Sequence, residues 1–389
     1  MRVDWLIVGA GFSGCVLAER IASQLGQRVL LMDKRDHIGG NAYDYYNEHG
    51  ILVHKYGPHI FHTKSKKVWD YLSQFTEWRP YFHHVLGVVE GKKVPIPFNL
   101  NSLYALFPPK YAEKLEEKLL DSFGFGVKVP ILKLKESANG ELEFLANYIY
   151  DNVFVRYTSK QWDLKPEELD RAVTGRVPVY ISRDDRYFQD PYQAMPKYGY
   201  TEMFRKMLAH PNIKVLLNAD YREVINDIKF NRMVYTGPVD TFFDYMYGEL
   251  PYRSLRFSFE TLDQEHYQEV GTVNYPNEYD ITRITEQKYL SGQTSPKTTL
   301  VKEYPQAYVP GLNDPYYPVP REENRARYEL YLKEANKLNG SVIFAGRLAE
   351  YKYYDMDQAA LRALSLFEKE VVQGKTEDVI LGNVPVVIS

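Results

Sequence analysis

Asp4-Trp5-Leu6-Ile7-Val8-Gly9-Ala10-Gly11-Phe12-Ser13-Gly14-Cys15-Val16-Leu17 runs apolar, turns through three glycines and runs apolar again; Asp33 then closes the next apolar stretch, Arg28-Val29-Leu30-Leu31-Met32. Residues 4–8 read as a buried strand, 9–14 as a turn, 13–24 as a helix and 28–32 as a second strand. GxGxxG alone is a weak signal, because glycine is common. Between a strand and a helix it becomes a dinucleotide fingerprint. Gly9 permits the tight turn, Gly11 lets backbone approach a pyrophosphate, and Gly14 lets helix and strand pack closely. Phe12 and Ser13 open the helix, whose N-terminus favours the anion. Asp33, 19 residues past Gly14, stands where a carboxylate accepts ribose hydroxyls.

The next segment, Asp33-Lys34-Arg35-Asp36-His37-Ile38-Gly39-Gly40-Asn41, separates FAD from NAD. A Gly-Gly shortly after the acidic residue resembles the second signature of the large FAD-binding family that includes glutathione reductase-like and amine oxidase-like proteins. Lys34, Arg35, Gly40 and Asn41 join the expected cofactor set on that ground.

Composition bounds the rest. The chain has 389 residues, enough for two or three domains. With 48 basic and 51 acidic residues its net charge is −3, which gives no global pull towards nucleic acid or anionic membrane. One cysteine, Cys15, excludes an internal disulfide and a cysteine-based metal site, and fits a reducing cytosol. Asp4, Glu19, Arg20 and the glycines argue against a secretory segment at the start. No apolar run reaches the roughly 18 residues of a membrane helix. The expectation is a soluble, cytoplasmic chain. Its 34 tyrosines exceed its 19 phenylalanines; tyrosine both stacks on flat ligands and hydrogen-bonds.

Further along, residues 98–190 read as mostly helical, with Leu142, Leu145, Ile149 and Val153 in one stripe. Residues 213–300 read as β-rich, and Leu255, Phe257 and Phe259 alternate with polar neighbours as in a half-buried antiparallel strand. Residues 305–320 carry five prolines and read as a loop; 341–345 return to a buried strand and 357–372 to a helix.

From here the chain resembles the bacterial UDP-galactopyranose mutase family nearly end to end. The resemblance is carried by Gly57-Pro58-His59-Ile60-Phe61-His62-Thr63, Val94-Pro95-Ile96-Pro97-Phe98-Asn99, Tyr157-Thr158-Ser159-Lys160-Gln161-Trp162, Asp184-Asp185-Arg186-Tyr187-Phe188, Thr282-Arg283-Ile284, Tyr316-Tyr317-Pro318-Val319, and Gly346-Arg347 with Tyr353-Tyr354-Asp355-Met356. It implies an α/β fold: a discontinuous Rossmann-type FAD domain (1–80, 190–220 and 318–389), a helical insert domain (98–189) and an antiparallel β-sheet domain (85–97 and 221–317). It also implies conversion of UDP-galactopyranose to UDP-galactofuranose for surface polysaccharide, without net redox change. Reduced FAD is required, with flavin N5 attacking the anomeric carbon and displacing UDP. A homodimer is the family's common state.

Residue by residue, the resemblance makes Arg176 and Arg283 the diphosphate arginines, with Gly175 and Pro178 suggesting a mobile lid around the first. It makes Tyr157 the base-stacking tyrosine, Phe154 and Thr158 its neighbours, and Trp162 a pocket tryptophan. The family often has two adjacent phenylalanines where this chain has Val153-Phe154, one aromatic face fewer. Tyr187, Tyr317 and Tyr353 surround diphosphate and sugar; His83 and Asn274 reach substrate. His62 lies beside the flavin, with His59 and Ile60 near it. Arg347, Asp355 and Met356 form the C-terminal FAD segment, where a helix N-terminus favours negative charge on reduced flavin. His59 and His62 lack a third ligand, so no metal is expected. The competing reading is an FAD oxidoreductase of amine oxidase type; a non-enzymatic carrier on the same fold is a third.

Overall fold

The computed structural model describes residues 1–137, 140–165, 168, 178–277 and 279–372. Five parallel strands form the first sheet, in the order Ile213–Leu216, Val29–Met32, Trp5–Val8, Arg232–Tyr235, Val342–Phe344. Strands buried on both faces read as short continuous apolar runs, and Val29–Met32 is fully buried. The helix Phe12–Leu25 packs on this sheet beside Met356–Leu366, and Gly26 ends the former with φ +66°. The last strand, Val342–Phe344, therefore rejoins a sheet begun by the first.

Seven strands form the second sheet: Tyr317–Pro318, Tyr252–Leu262, Thr298–Ala307, Arg283–Glu286, Thr272–Asn274, Val85–Val89, Lys92–Ile96. All neighbours are antiparallel except Thr272–Asn274 beside Val85–Val89. The domain boundaries drawn from sequence need correction here. Arg232–Tyr235, placed in the antiparallel part, pairs with Trp5–Val8 in the parallel sheet. Tyr317–Pro318 straddles the boundary drawn at 318 and pairs inside the antiparallel sheet.

The helical part holds Leu100–Leu106, Pro109–Phe123, Ile131–Ser137, Glu141–Ile149 and Arg156–Trp162. Leu142, Leu145, Ile149 and Val153 all lie in its core, as their spacing predicts. Between the last two helices, Tyr150–Val155 widens into a π-helical turn. Such a turn shifts the register of everything after it. Val153 and Phe154 pack into the helical core, and the helix Arg156–Trp162 that follows contacts the strand Thr298–Ala307 of the second sheet.

The candidate cofactor and nucleotide-sugar cavities

The first cavity, of about 390 Å³, opens at the carboxyl ends of the parallel strands, where open α/β sheets bind ligands. Glycine turns form one side of it. Gly9 takes φ +103°, and a Cβ on Gly14 would stand 1.9 Å from the Gly9 carbonyl oxygen. A Cβ on Gly40, itself at φ +56°, would come within 2.8 Å of the Gly11 Cα. The two glycine turns thus touch, and only residues without side chains let them. Asp33 holds this loop together: Ala10 N–H donates to its Oδ2 (2.8 Å) and Arg35 N–H to its Oδ1 (2.9 Å). Each oxygen keeps a lone pair for a ribose hydroxyl.

Gly9, Gly11, Phe12, Ser13, Asp33, Lys34, Arg35, Gly40, Asn41, His59, Arg347, Asp355 and Met356 line this cavity; Gly14 and Ile60, also expected there, do not. Sequence reasoning missed the far end, where Tyr221, Arg222, Thr236, Gly237, Tyr245 and Tyr308 line the wall. Thr236-Gly237 follows a parallel strand, and that strand was assigned to the wrong sheet, which hid the signal. Arg35 also reaches across the opening. Its Nη2 lies 3.0 Å from Asp314 Oδ2, Nη1 donates to Asn41 (2.9 Å), and its Cζ sits 4.5 Å over the Tyr56 ring.

The second cavity, of about 180 Å³, is built from side chains: Phe154, Tyr157, Thr158, Trp162, Tyr187, Asn274, Arg283, Tyr317 and Tyr353 among them. Gly87, Ile96, Val153, Gln161 and Pro276 also line it, and sequence reasoning named none of these as ligands. Three of its lining residues, Arg283, Asn274 and Gly87, are neighbours in one row across the second sheet. Register pairs Phe257 with Glu303, Glu303 with Arg283, Arg283 with Asn274, Asn274 with Gly87 and Gly87 with Val94. Paired residues share a face, so the cation, the amide and the glycine gap present together. Arg283 Nε donates to Glu303 Oε2 (2.9 Å), and its Nη2 lies 2.8 Å from the same oxygen. Burial opposes its charge, but Glu303 outweighs burial and raises its pKa. Burial likewise keeps the Tyr157 and Tyr317 hydroxyls protonated well above neutral pH.

The cavities share a wall. Tyr317 and Tyr353 of the second stack with centroids 5.4 Å apart and planes 11° apart. Arg347 of the first lies 5.5 Å and 4.9 Å over those two rings. On the helical side, Lys160 Nζ donates to the carbonyls of Tyr275, Tyr279 (2.9 Å) and Ile281 (3.1 Å), tying the Tyr157 helix to the loop that leads into Arg283.

Besides Gly14 and Ile60, two more expected residues, His62 and His83, line neither cavity. His62 stacks on Phe188 at 3.6 Å, with Nδ1 2.6 Å from Asp190 Oδ2. His83 is buried against Tyr81, whose hydroxyl meets its Nδ1 at 3.0 Å, and desolvation lowers its pKa to about 3. Arg176 and most of the expected lid lie outside the described residues. His59 is neutral, its pKa lowered by burial to about 3, and its Nδ1 meets the Gly57 carbonyl (2.9 Å) rather than His62. Among the described residues no three His, Cys, Asp or Glu side chains converge as a metal site. No helix among them is long and apolar enough to cross a membrane.

Fold and site together define a flavin-binding class of protein: a glycine-lined dinucleotide cavity abutting a second, arginine-floored one. Within that class, a family profile for UDP-galactopyranose mutase matches residues 152–353, and one for an NAD(P)-binding Rossmann-like domain matches residues 7–75. A probable UDP-galactopyranose mutase of Klebsiella pneumoniae is 38% identical over 363 residues, 92% of each chain. A dTDP-fucopyranose mutase of Escherichia coli is 33% identical over 378 residues, covering 95% of this chain and 99% of that one. The crystal structure of a reduced UDP-galactopyranose mutase superposes with a TM-score of 0.72 at 14% identity, over 98% of this chain and 96% of that one. The chain belongs to the UDP-galactopyranose mutase family.

Proposed function

We propose that this chain interconverts UDP-galactopyranose and UDP-galactofuranose, using reduced FAD and leaving the sugar's oxidation level unchanged. The shared wall carries the reading: Arg347, Tyr317 and Tyr353 join a dinucleotide cavity to one floored by Arg283. Reduced FAD, when bound, supplies the nucleophile at its N5. The protein's residues do the remainder. Arg283, with Arg176, holds the diphosphate and stabilises the charge that grows as UDP departs. Phe154, Tyr157 and Trp162 take the base and ribose on aromatic faces. Tyr187, Tyr317 and Tyr353 donate hydroxyl hydrogen bonds to phosphate and sugar, and Thr158 and Asn274 add neutral ones. Arg347, and the N-terminus of Met356–Leu366 capped at Asp355, favour negative charge at the flavin end.

His62, paired with Asp190, steadies the strand Phe61–Thr63 that follows the His59 loop, and His83 supports Tyr187, whose N–H donates to its carbonyl (2.7 Å). The three-part division follows the two sheets and the helices, with residues 221–251 moved to the FAD domain. We place the enzyme in the cytoplasm, as a homodimer serving surface polysaccharide synthesis.

The test is an anaerobic incubation with UDP-galactofuranose after one pre-reduction, counting product per flavin by chromatography. Many turnovers per reduced flavin support the mutase. A yield capped near one product per flavin, or activity in fully oxidised enzyme, supports the amine oxidase-type reading instead.

A further inference from the structure

Glu303 is a carboxylate only 2% exposed, paired in register behind the second cavity's lining with Arg283, the arginine proposed to grip a diphosphate. An acid in that place repels the ligand. The geometry shows how it is held there. Arg283 Nε and Nη2 both meet Oε2, while Thr282 Oγ1 donates to Oε1 at 3.1 Å. Gly57, from the loop that carries His59 to the first cavity, leaves room beside it: a Cβ there would stand 3.2 Å from Oε2. Nη1 of Arg283 makes no hydrogen bond with the described residues, so one edge of the guanidinium is engaged and the other is left for a ligand.

A pair needed only to tie two strands together gains little from charge, since apolar residues of similar volume serve as well or better inside a protein. A pair whose arginine lines a ligand cavity does something else. It sets how much positive charge the ligand meets.

We propose that Glu303 is a positioning residue that limits the grip of Arg283 on the diphosphate. It fixes the guanidinium by its Nε–Nη2 edge and cancels part of its charge. UDP is then held while detached from the sugar, without being held so tightly that its return or release stalls. The proposal rests on the diphosphate reading above. A ligand held too strongly in its detached form lowers turnover, because only interactions stronger in the transition state accelerate the reaction.

The test is Glu303→Gln, which keeps the shape and an acceptor for Arg283 but removes the charge. In the free protein Arg283 then lacks its counter-ion, so the thermal midpoint falls. Added UDP supplies the missing charge and recovers more stability than it does in wild type. Titrated with UDP, oxidised holoenzyme of the variant should bind about tenfold more tightly than wild type, a modest share of what close buried charge pairs contribute. Pre-reduced enzyme should show KM and kcat both lowered. Glu303→Asp, whose carboxylate is drawn back from Arg283, should lie between, binding UDP two- to fivefold tighter by the same argument; it carries the test alone if Glu303→Gln does not fold. A lower midpoint with unchanged UDP affinity makes Glu303 a strand cross-link and overturns the proposal. Weaker UDP binding in both variants also overturns it, leaving Glu303 as a holder of geometry only. Wild-type holoenzyme that binds no UDP at all instead sinks the diphosphate reading on which the proposal stands.

Discussion

The two cavities are built from different material. The first is shaped by backbone at its glycine turns: Gly9, Gly11 and Gly40 bring two turns into contact, and Asp33 spends a lone pair of each oxygen on main-chain N–H groups. The second is shaped by side chains standing on a sheet and a helix, with Arg283, Asn274 and Tyr157 projecting into it. A backbone site admits few residue types at each point and so leaves a spaced motif in the sequence. A side-chain site draws single residues from strands far apart in the chain, and it can be retuned one substitution at a time. The relatives fit that contrast: one is named for a UDP sugar and another for a dTDP sugar, on chains about equally similar to this one.

If the contrast holds, substitutions should separate cleanly. Arg283→Ala should lower turnover about 10²–10³-fold, the usual cost of one contact to a developing anion, with the FAD content measured after denaturation unchanged. Loss of FAD from this variant would break the separation at its strongest point. Gly40→Ala should do the opposite. Its Cβ meets the Gly11 Cα at 2.8 Å, and a left-handed non-glycine adds about 1–3 kcal/mol of strain; the purified protein should be pale, with UDP affinity close to wild type. Asp33→Ala should also weaken FAD retention, by about 1–3 kcal/mol where a buried donor loses its acceptor.

Acid tests the histidines packed around the first cavity's rim and beyond it. His54 and His83 are buried and His59 is half-buried in the cavity wall; desolvation lowers their pKa values to about 4, 3 and 3 for His54, His59 and His83, which keeps them neutral. His54 Nδ1 accepts the His59 N–H (3.1 Å), a bond that protonation there removes. The unfolded chain takes up protons below the ordinary histidine pKa of about 6.5 while the native state does not. Stability therefore falls as pH drops from about 6.5 towards 4, by up to about 1.4 kcal/mol per pH unit for each histidine. Denaturant midpoints at pH 7 and pH 5 measure this, and a flat profile would show that these rings are charged or exposed. The smallest effect belongs to Tyr157→Ala. Losing one stacking face costs about 0.5–1.5 kcal/mol, so UDP should bind several-fold more weakly with FAD unaffected.

The same difference explains what could be read from the sequence. The strand–turn–helix at the start and the glycines around Asp33 were legible because backbone geometry dictates them. Arg283 and Tyr157 were not legible in themselves: a lone arginine or tyrosine is ordinarily surface or core, and only the resemblance to a family drew them together. Arg232–Tyr235 went to the wrong sheet because four residues beside other strands carry no mark of parallel pairing. The π turn at Tyr150–Val155 escaped too, since a helical stripe continues through it. Gly87 went unnoticed because what it contributes is an absent side chain.

That row from Phe257 to Val94 has a consequence for how such an enzyme can change. Side chains alternate faces along a strand, so removing or adding one residue within Thr272–Asn274 or Arg283–Glu286 would turn Asn274 or Arg283 to the opposite side of the sheet. The floor tolerates new letters but not a shifted reading frame. Descendants of this chain can drift to other nucleotide sugars by exchange at these positions, while insertions and deletions are confined to the loops beyond the strand ends.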